Sequence, residues 1–429
     1  MSVIELGDFS PSSEQVWSRE FDRRLLRNIA LIVVAVLTVL SVTGSTRPQS
    51  RLIRTLWSIP FRNGDMYLLG AGMVYARTAS TGTRLVAYDL TDGRPRWSMA
   101  LSEQSGWPTT AEAAHVLLLP GKVDTTAFDS RTGTELWRLP GTVGSVSDDA
   151  VLLVDQDQDG TQVRGLRLVK LRDGRILWSR PTLGQPALGR VDLTTGGPDP
   201  TDPGYLAAVQ PDGRTQVIRW ADGVPLAAGR IEWRPGDGFD GTFSSLSADG
   251  RNLYVRLADG GGSSLTAYAL DTLLPSWRQD GAARVAAYPC GPVICSMEND
   301  NVAAYDIVTG ATRWRAVGVL QATPIRGGRI LLAEGAADAY VLVDQLTGAR
   351  IADLGEGTPV ADSQGRTFYL LRRTRQPVGR TAISRVDPVT GAVTLRGTIS
   401  TFPDYGCAFT ADRAVCPSPA GRLVVTAVG

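Results

Sequence analysis

Short stretches of apolar and alternating residues, separated by glycine-rich turns, recur along residues 55–429. Examples are Arg251-Asn-Leu-Tyr-Val-Arg256, which follows the turn Ala-Asp-Gly, and Arg329-Ile-Leu-Leu-Ala-Glu334, which follows Arg-Gly-Gly. Side chains of a strand point alternately to its two faces, so such stretches predict half-buried or buried β-strands. The 47 glycines and 25 prolines among 429 residues supply many turns, and the pattern therefore favours an all-β protein.

One tract, Leu85-Val-Ala-Tyr-Asp-Leu-Thr-Asp-Gly-Arg-Pro-Arg-Trp97, recurs along the chain. Further copies occupy residues 126–137, 166–178, 217–228, 265–277, 303–314, 341–353 and 383–395. Each copy predicts a hairpin in which aspartate begins the turn and glycine accepts the positive φ that the turn needs. Successive copies lie 37 to 50 residues apart with room for two further strands between them. This period is typical of a four-stranded β-propeller blade.

The clearest copy, Ala304-Tyr-Asp-Ile-Val-Thr-Gly-Ala-Thr-Arg-Trp314, resembles the tryptophan-docking repeat of the quinoprotein-like propellers. That family of pyrroloquinoline-quinone-like repeats, WD40-like in architecture, includes the quinone-dependent dehydrogenases and BamB. The resemblance implies that large rings wedge between neighbouring blades. The docking residues that it implies are Trp57, Trp97, Trp137, Trp178, Trp277 and Trp314.

The two ends of residues 55–429 together supply one more blade. Thr55-Leu-Trp57-Ser-Ile-Pro60 has the pattern of a fourth strand without three strands before it, and residues 405–411, 413–417 and 421–428 have the pattern of the missing three. Pairing them closes the ring and removes a bare sheet edge. Eight internal copies and this split blade make nine, whereas the resemblance implies eight. We therefore expect an eight-bladed propeller over residues 55–429, with nine blades as the alternative.

Residues 28–45 are uncharged and just long enough to cross a bilayer as a transmembrane helix. Arginines on both sides make the positive-inside rule favour a cytoplasmic N-terminus only slightly. A cleaved signal peptide is the alternative, but the charged leader is long and Ser41-Val-Thr-Gly-Ser45 is a poor cleavage site. The expected organisation is a cytoplasmic tail over 1–27, the helix, a linker over 46–54 and an extracytoplasmic propeller. The tail is too short to fold alone.

All four cysteines follow the apolar segment, in two close pairs: Cys290 with Cys295, and Cys407 with Cys416. This spacing predicts two disulfides, each stapling the hairpin between the first two strands of a blade, and hence an oxidising compartment. Four buried free thiols are the alternative. Zinc is disfavoured because no second cluster of ligands accompanies the cysteines.

Asp155, Asp157 and Asp159 alternate with glutamines before Gly160, and carboxylates in this pattern can converge on calcium. Leu166 stands where a calcium loop of the EF-hand type needs glutamate, so a solvated hairpin loop is the alternative. The longer insertion over 194–204 interrupts the repeat and is either a binding loop or a tolerated insertion.

Composition and motifs argue against several functions. The net charge is +1, from 44 basic and 43 acidic residues without a basic block, which excludes a nucleic-acid surface. Lys122 and Lys170 are the sole lysines, a skew typical of GC-rich bacteria. The single histidine, His115, is expected inside a strand with a structural role. No hydrolase or nucleotide-binding motif is present.

We therefore expect a membrane-anchored scaffold or sensor that binds a protein or cell-envelope ligand without catalysis. No adjacent cysteine pair with calcium ligands, as quinone-dependent dehydrogenases have, is found, so no cofactor is expected beyond the calcium candidate. A quinone-dependent dehydrogenase with atypical ligands is the alternative function. BamB itself is a lipoprotein, and this leader lacks the cysteine that a lipid anchor needs.

Overall fold

A computed structural model describes eleven ranges of the compact unit Leu52–Gly429. The described ranges are 53–78, 83–102, 105–157, 163–182, 187–192, 203–235, 243–259, 262–335, 339–362, 365–400 and 406–429. Their regular elements are 36 β-strands. Within these ranges no helix has the length and apolarity to cross a membrane, and the predicted segment 28–45 lies outside them.

The strands form nine four-stranded antiparallel sheets in the described part of the chain. We number them as blades in chain order. Blade 1 consists of β2 (Met66–Gly70), β3 (Met73–Thr78), β4 (Arg84–Asp89) and β5 (Pro95–Ala100). Blade 2 consists of β6 (Thr109–Ala111), β7 (Val116–Pro120), β8 (Asp124–Asp129) and β9 (Glu135–Pro140). Blade 3 consists of β10 (Thr142–Val146), β11 (Ala150–Gln156), β12 (Val163–Lys170) and β13 (Ile176–Pro181).

The middle three blades repeat this arrangement. Blade 4 consists of β14 (Ala187–Asp192), β15 (Pro203–Val209), β16 (Arg214–Arg219) and β17 (Pro225–Arg230). Blade 5 consists of β18 (Phe243–Ala248), β19 (Asn252–Asp259), β20 (Gly262–Ala269) and β21 (Pro275–Asp280). Blade 6 consists of β22 (Ala286–Pro289), β23 (Val293–Glu298), β24 (Asn301–Asp306) and β25 (Thr312–Val317).

The last blade joins the two ends of the compact unit. Blade 7 consists of β26 (Val319–Ile325), β27 (Arg329–Glu334), β28 (Ala339–Asp344) and β29 (Arg350–Glu356). Blade 8 consists of β30 (Thr358–Ala361), β31 (Phe368–Arg373), β32 (Thr381–Val386) and β33 (Val393–Ile399). Blade 9 consists of β34 (Ala408–Phe409), β35 (Arg413–Ser418), β36 (Arg422–Ala427) and β1 (Arg54–Pro60).

The first strand of each blade lies innermost, because first strands of successive blades contact one another, as β2 does with β6 and with β34. The second and third strands supply most of the core. In β7, Val116, Leu117 and Leu118 are fully buried because one blade covers each face of the strand. Core clusters accordingly span neighbouring blades, as where Val116 and Val151 of blades 2 and 3 meet.

The expectation of eight blades is wrong, and the alternative of nine is correct. Every one of the eight sequence repeats forms the third and fourth strands of its own blade, and blade 9 is the split one. In that blade β1 pairs antiparallel with β36, from Arg54 opposite Ala427 to Pro60 opposite Arg422. The predicted seam is therefore confirmed, and the ring has no exposed closing edge at this point.

Six tryptophans dock one blade onto the next, as the resemblance implied. Each indole N–H donates a hydrogen bond of 2.7–3.2 Å to a backbone carbonyl in the third-to-fourth-strand turn of the following blade. The donor and acceptor pairs are Trp57 with Leu90, Trp97 with Ser130, Trp137 with Leu171, Trp178 with Trp220, Trp277 with Ile307, and Trp314 with Gln345.

The glycine of each of these turns is required because the indole ring lies directly on it. A Cβ added at Gly93, Gly310 or their counterparts would lie 2.5–2.8 Å from the nearest indole atom. These glycines also have φ between 68° and 72°, which other residues adopt at a cost. In a repeat such as residues 85–97, the turn glycine receives the indole of the preceding blade, and the tryptophan four residues later docks on the next blade. The repeat therefore carries both partners of the contact between blades.

The interface between blades 4 and 5 exchanges the two partners of this contact. Ala227 takes the tryptophan position, because it pairs with Val217 as Trp97 pairs with Ala87. The turn glycine is replaced by Leu273, which has a φ of 55° and is buried in the same core cluster as Ala227. A leucine side chain thus fills the space that an indole occupies elsewhere.

This exchange predicts a strong coupling between positions 227 and 273. Ala227→Trp alone should destabilise the protein by about 1–3 kcal/mol, because the indole meets the Leu273 side chain. Leu273→Gly alone should cost about 2–4 kcal/mol through the cavity that it leaves. The double variant should recover most of both losses, because it rebuilds the contact of the other interfaces. Chemical denaturation of the four proteins measures the coupling, and additive losses in the double variant would refute the exchange.

Candidate functional site

The third-to-fourth-strand turns of the ring are regular in length, whereas its other connections vary. Because each blade is an antiparallel meander, the turns between strands 1–2 and 3–4 lie at one end, which we call the turn end. The connections between strands 2–3 and between blades lie at the other, which we call the connection end. Each third-to-fourth-strand turn of blades 1 to 8 has five or six residues. Connections between blades range from Gly141 alone to residues 231–242.

Aspartates brace the regular turns of the turn end. Asp306 accepts backbone N–H groups of Val308 and Thr309 at 3.0 and 2.8 Å, and its other oxygen binds the guanidinium of Arg313. The Arg313 hydrogen bond is the main cause that lowers the pKa of Asp306 to about 2, and the backbone donors add to it. At Asp387 the backbone N–H groups of Thr390 and Val389 lower the pKa of the carboxyl. The carboxylates of Asp306 and Asp387 are thus already hydrogen-bonded within their own turns.

A cleft of about 370 Å³ opens at the connection end across blades 3, 4 and 5. The first strands of these blades contribute Thr142, Ala187, Leu188 and Ser244. The end of β11 contributes Gln156, the connection between β15 and β16 contributes Pro211, and the connection from blade 4 to blade 5 contributes Trp233 and Pro235. No ionisable side chain lines this cleft among the described residues, so its chemistry suits a neutral or apolar segment.

The long connection between blades 4 and 5 is fixed over its described part. The hydroxyl of Ser244 accepts the N–H of Arg234 at 2.9 Å and donates to its carbonyl at 2.8 Å. The Tyr268 hydroxyl accepts the N–H of Glu232 at 3.2 Å, and Trp233 packs against the core cluster of blades 4 and 5. The cleft wall is therefore held on the blades rather than left as a free loop.

A second, charged cleft of about 200 Å³ adjoins this connection. Its lining includes Glu232, Arg234, Arg278 and Asp280. Arg278 bridges Glu232 at 2.9 Å and Asp280 at 2.7 Å. These pairs are half-exposed, so they add little stability but set a polar rim beside the neutral cleft.

Both predicted disulfides are present. Cys290 and Cys295 staple the first hairpin of blade 6 with a Cα separation of 5.7 Å, and Cys407 and Cys416 staple that of blade 9 with 4.3 Å. All four cysteines of the chain are thereby paired. Each short loop is expected to add roughly 2–3 kcal/mol by restricting the unfolded chain.

Comparison with known proteins places the chain in a family. The family model described as "Outer membrane protein assembly factor BamB" matches residues 7–279. The chain belongs to this family. Blades 6 to 8 and the strands β34 to β36 of blade 9 lie beyond the matched range, yet they continue the same four-stranded architecture. No curated protein matches the sequence.

Solved structures add the fold alone. BamB from Moraxella catarrhalis is 15% identical, with 87% of this chain and 99% of that chain covered and a TM-score of 0.44. A protein described as the eukaryotic initiation factor is 14% identical, with 81% and 89% covered and a TM-score of 0.54. At such identities, within or outside the BamB family, fold similarity does not carry function.

The calcium candidate stays a prediction. Asp155 lies at the end of β11, where the guanidinium of Arg167 donates to its carboxylate, and Asp159 lies outside the described residues. The described residues contain no group of three or more His, Cys, Asp or Glu side chains that could hold a metal. The insertion at 194–204 falls mostly outside the described ranges.

His115 is in a turn, not inside a strand as expected. It lies between β6 and β7 with a φ of 52°, and its Nε2 is 3.0 Å from Nη2 of Arg131. Sequence reasoning also missed the cleft residues Leu188, Pro211 and Trp233, because they lie outside the repeat motif. The wide spacing between the copies at 217–228 and 265–277 was the one signal of an added connection there.

The depressed pKa of Asp306 predicts acid sensitivity. Its carboxylate stabilises the fold above the unfolded pKa of about 3.9, and this contribution is lost as the pH falls toward about 2. Asp306→Asn should lower the apparent Tm at neutral pH, and its difference from the wild type should shrink between pH about 4 and about 2. Arg313→Gln should act in the same direction. Thermal scans across this range measure both, and a pH-independent difference would contradict the assignment.

Proposed function

We propose that this chain is a non-catalytic, membrane-tethered, extracytoplasmic propeller that binds a protein or cell-envelope ligand at its connection end. The observation that carries the proposal is the neutral cleft at the connection end, one wall of which is held on the blades by Ser244 and Tyr268. The connections between blades vary in length from Gly141 alone to residues 231–242, and the longest of them lines this cleft. Variation on a rigid ring is where binding surfaces usually lie.

A scaffold function also agrees with how the tryptophans are used. The faces of Trp57, Trp97 and the other docking indoles lie on glycines of the next blade, and their N–H groups are bonded to carbonyls. These rings are therefore committed to holding the ring together and are not free to sandwich a planar cofactor. The matched family is described as an outer membrane protein assembly factor, which likewise agrees with a scaffold function.

The proposed location rests on two further features. Residues 28–45 form an uncharged segment long enough to span a bilayer, and we propose that it tethers the ring. The two disulfides favour an oxidising compartment, which puts the propeller on the outer side of that membrane. A ligand at the connection end would then be an extracytoplasmic protein or envelope component.

Site-specific photocrosslinking in the intact host tests the binding end. A benzophenone side chain at Gln156 in blade 3 or Pro211 in blade 4 should give a discrete adduct, because both positions line the neutral cleft. Matched positions in the same blades at the turn end, Arg175 and Asp222, should give no such adduct.

Two variants give this experiment its controls. Leu188→Glu places a charge in the neutral cleft and should reduce the adduct formed from Pro211 at least tenfold, about 1.4 kcal/mol or more. Leu274→Glu, in the third-to-fourth-strand turn of blade 5 at the turn end, should leave it unchanged. Equal adducts from both ends, or adducts that survive Leu188→Glu, would contradict a ligand in this cleft.

A further inference from the structure

The turn end carries an unexplained run of exposed apolar side chains in blades 6, 7 and 8. Val308, Leu346 and Val389 occupy the same position, two residues after the turn aspartate, and are 52%, 52% and 51% exposed. Blades 1 to 3 have polar residues at this position, namely Thr91, Arg131 and Arg172. The apolar residue at this position is thus shared by blades 6, 7 and 8, and the same turns of blades 4 and 5 expose Val224 and Leu274 at their last position, 46% and 65% exposed.

The tips are held outward by the turns that carry them. The N–H groups of Val308, Leu346 and Val389 donate to the aspartate two residues earlier at 3.0, 3.1 and 2.8 Å. The exposed apolar side chains therefore cannot be turned inward without breaking the braced turn. Each is followed by the uncharged residues Thr-Gly-Ala, which adds no like charge beside it.

The turn end of blades 6 to 8 forms one continuous surface, because the first turn of each blade touches the third-to-fourth-strand turn of the next. A Cβ at Gly291 of blade 6 would meet Gln345 of blade 7 at 2.6 Å. A Cβ at Gly327 of blade 7 would lie 3.4 Å from Val389 of blade 8. Arg326 and the exposed Arg366 lie in the first turns of blades 7 and 8.

The chain also enters the ring at this same end. Arg54 of β1 pairs with Ala427, the end of β36 that lies away from the connection between β35 and β36. Blade 9, which contains β1, directly follows blade 8. The linker 46–53 that joins the proposed tether to β1 can span at most about 28 Å when fully extended.

We propose that Val308, Leu346 and Val389 dock the turn end of blades 6 to 8 on the outer surface of the bilayer. The inference rests on the proposed tether, which brings this end near the membrane. Apolar tips flanked by arginines are suited to the interface, where side chains enter the headgroup region and guanidinium groups meet lipid phosphates. Docking in this way would point the connection end, with its cleft, away from the membrane.

Single-cysteine labelling of the full chain tests the docking. Because all four native cysteines are in disulfides, an added cysteine is a unique site. Val389→Cys and Val308→Cys report on the turn end. Val378→Cys in blade 8 and Val317→Cys in blade 6 are matched valine controls at the connection end, 86% and 85% exposed. The full chain is reconstituted into vesicles of phosphatidylethanolamine and phosphatidylglycerol.

The readout is quenching of an environment-sensitive fluorophore by lipids that carry a spin label near the headgroup. Labels at Val389 and Val308 should lose at least about half of their emission, because the tips enter the interface. Labels at Val378 and Val317 should keep theirs. Val308→Asp with Leu346→Asp should abolish quenching at Val389, whereas Val317→Asp should not.

The failures of the tether and of the docking are distinguishable. If the protein does not float with the vesicles after an alkaline wash, the tether is wrong and the docking falls with it. If it floats but Val389 and Val378 are quenched equally or not at all, the docking alone is refuted. If the label at Val389 is not quenched by the lipids but is shielded from solvent in proportion to the protein concentration, bilayer docking is refuted. The tips then contact a second copy of the chain.

Discussion

The contact of an indole with a turn glycine of the next blade is the interaction on which the ring depends. It combines a hydrogen bond, worth roughly 1 kcal/mol net, with burial of the ring face against backbone. The glycine must have a positive φ and no side chain. In four of the six turns that receive an indole, an aspartate such as Asp306 begins the turn and accepts its N–H groups. One short motif therefore fixes both a hairpin and its distance from the neighbouring blade.

This constraint explains why the third-to-fourth-strand turns are alike. Every turn that receives a tryptophan must keep its length and its glycine, so these turns vary only in side chains such as Val308 or Arg131. The other connections receive no indole, and they are free to lengthen, as at residues 193–202 within blade 4 and between blades 4 and 5. That is also the interface in which Ala227 and Leu273 replace the usual pair. The loss of regularity and the neutral cleft occur together there.

Much of the fold could be predicted from the sequence because the docking contact leaves a local pattern. The hairpins, the seam at Trp57 and the pairing of Cys290 with Cys295 all follow from residues close together in sequence or at the ends of the repeat series. The count of repeats and the split blade indicated nine blades, and the resemblance to eight-bladed relatives led to the wrong number. A ring accepts one more identical wedge with only a small change in angle between blades.

The cleft could not be predicted in the same way. Leu188 lies in the first strand of blade 4, Pro211 in a connection of the same blade and Trp233 in the connection to blade 5, and only the folded ring brings them together. The replacement of glycine by Leu273 is visible in the sequence, but its partner Ala227 belongs to the preceding blade, in the copy at 217–228 that has no docking tryptophan. Sites that assemble from non-repeating connections carry no periodic signal, whereas packing between repeats does.

Hydrogen–deuterium exchange of the full chain tests the closed, docked ring most directly. Amides of β1 should exchange as slowly as those of β36, because the two strands pair over the whole of Arg54–Pro60 and Trp57 locks them to blade 1. Trp57→Ala should speed exchange in β1 and in the turn at Leu90, and leave the interface at Trp314 unchanged. Fast exchange of β1 in the unmodified protein, or a uniform effect of Trp57→Ala on all blades, would contradict closure by this contact.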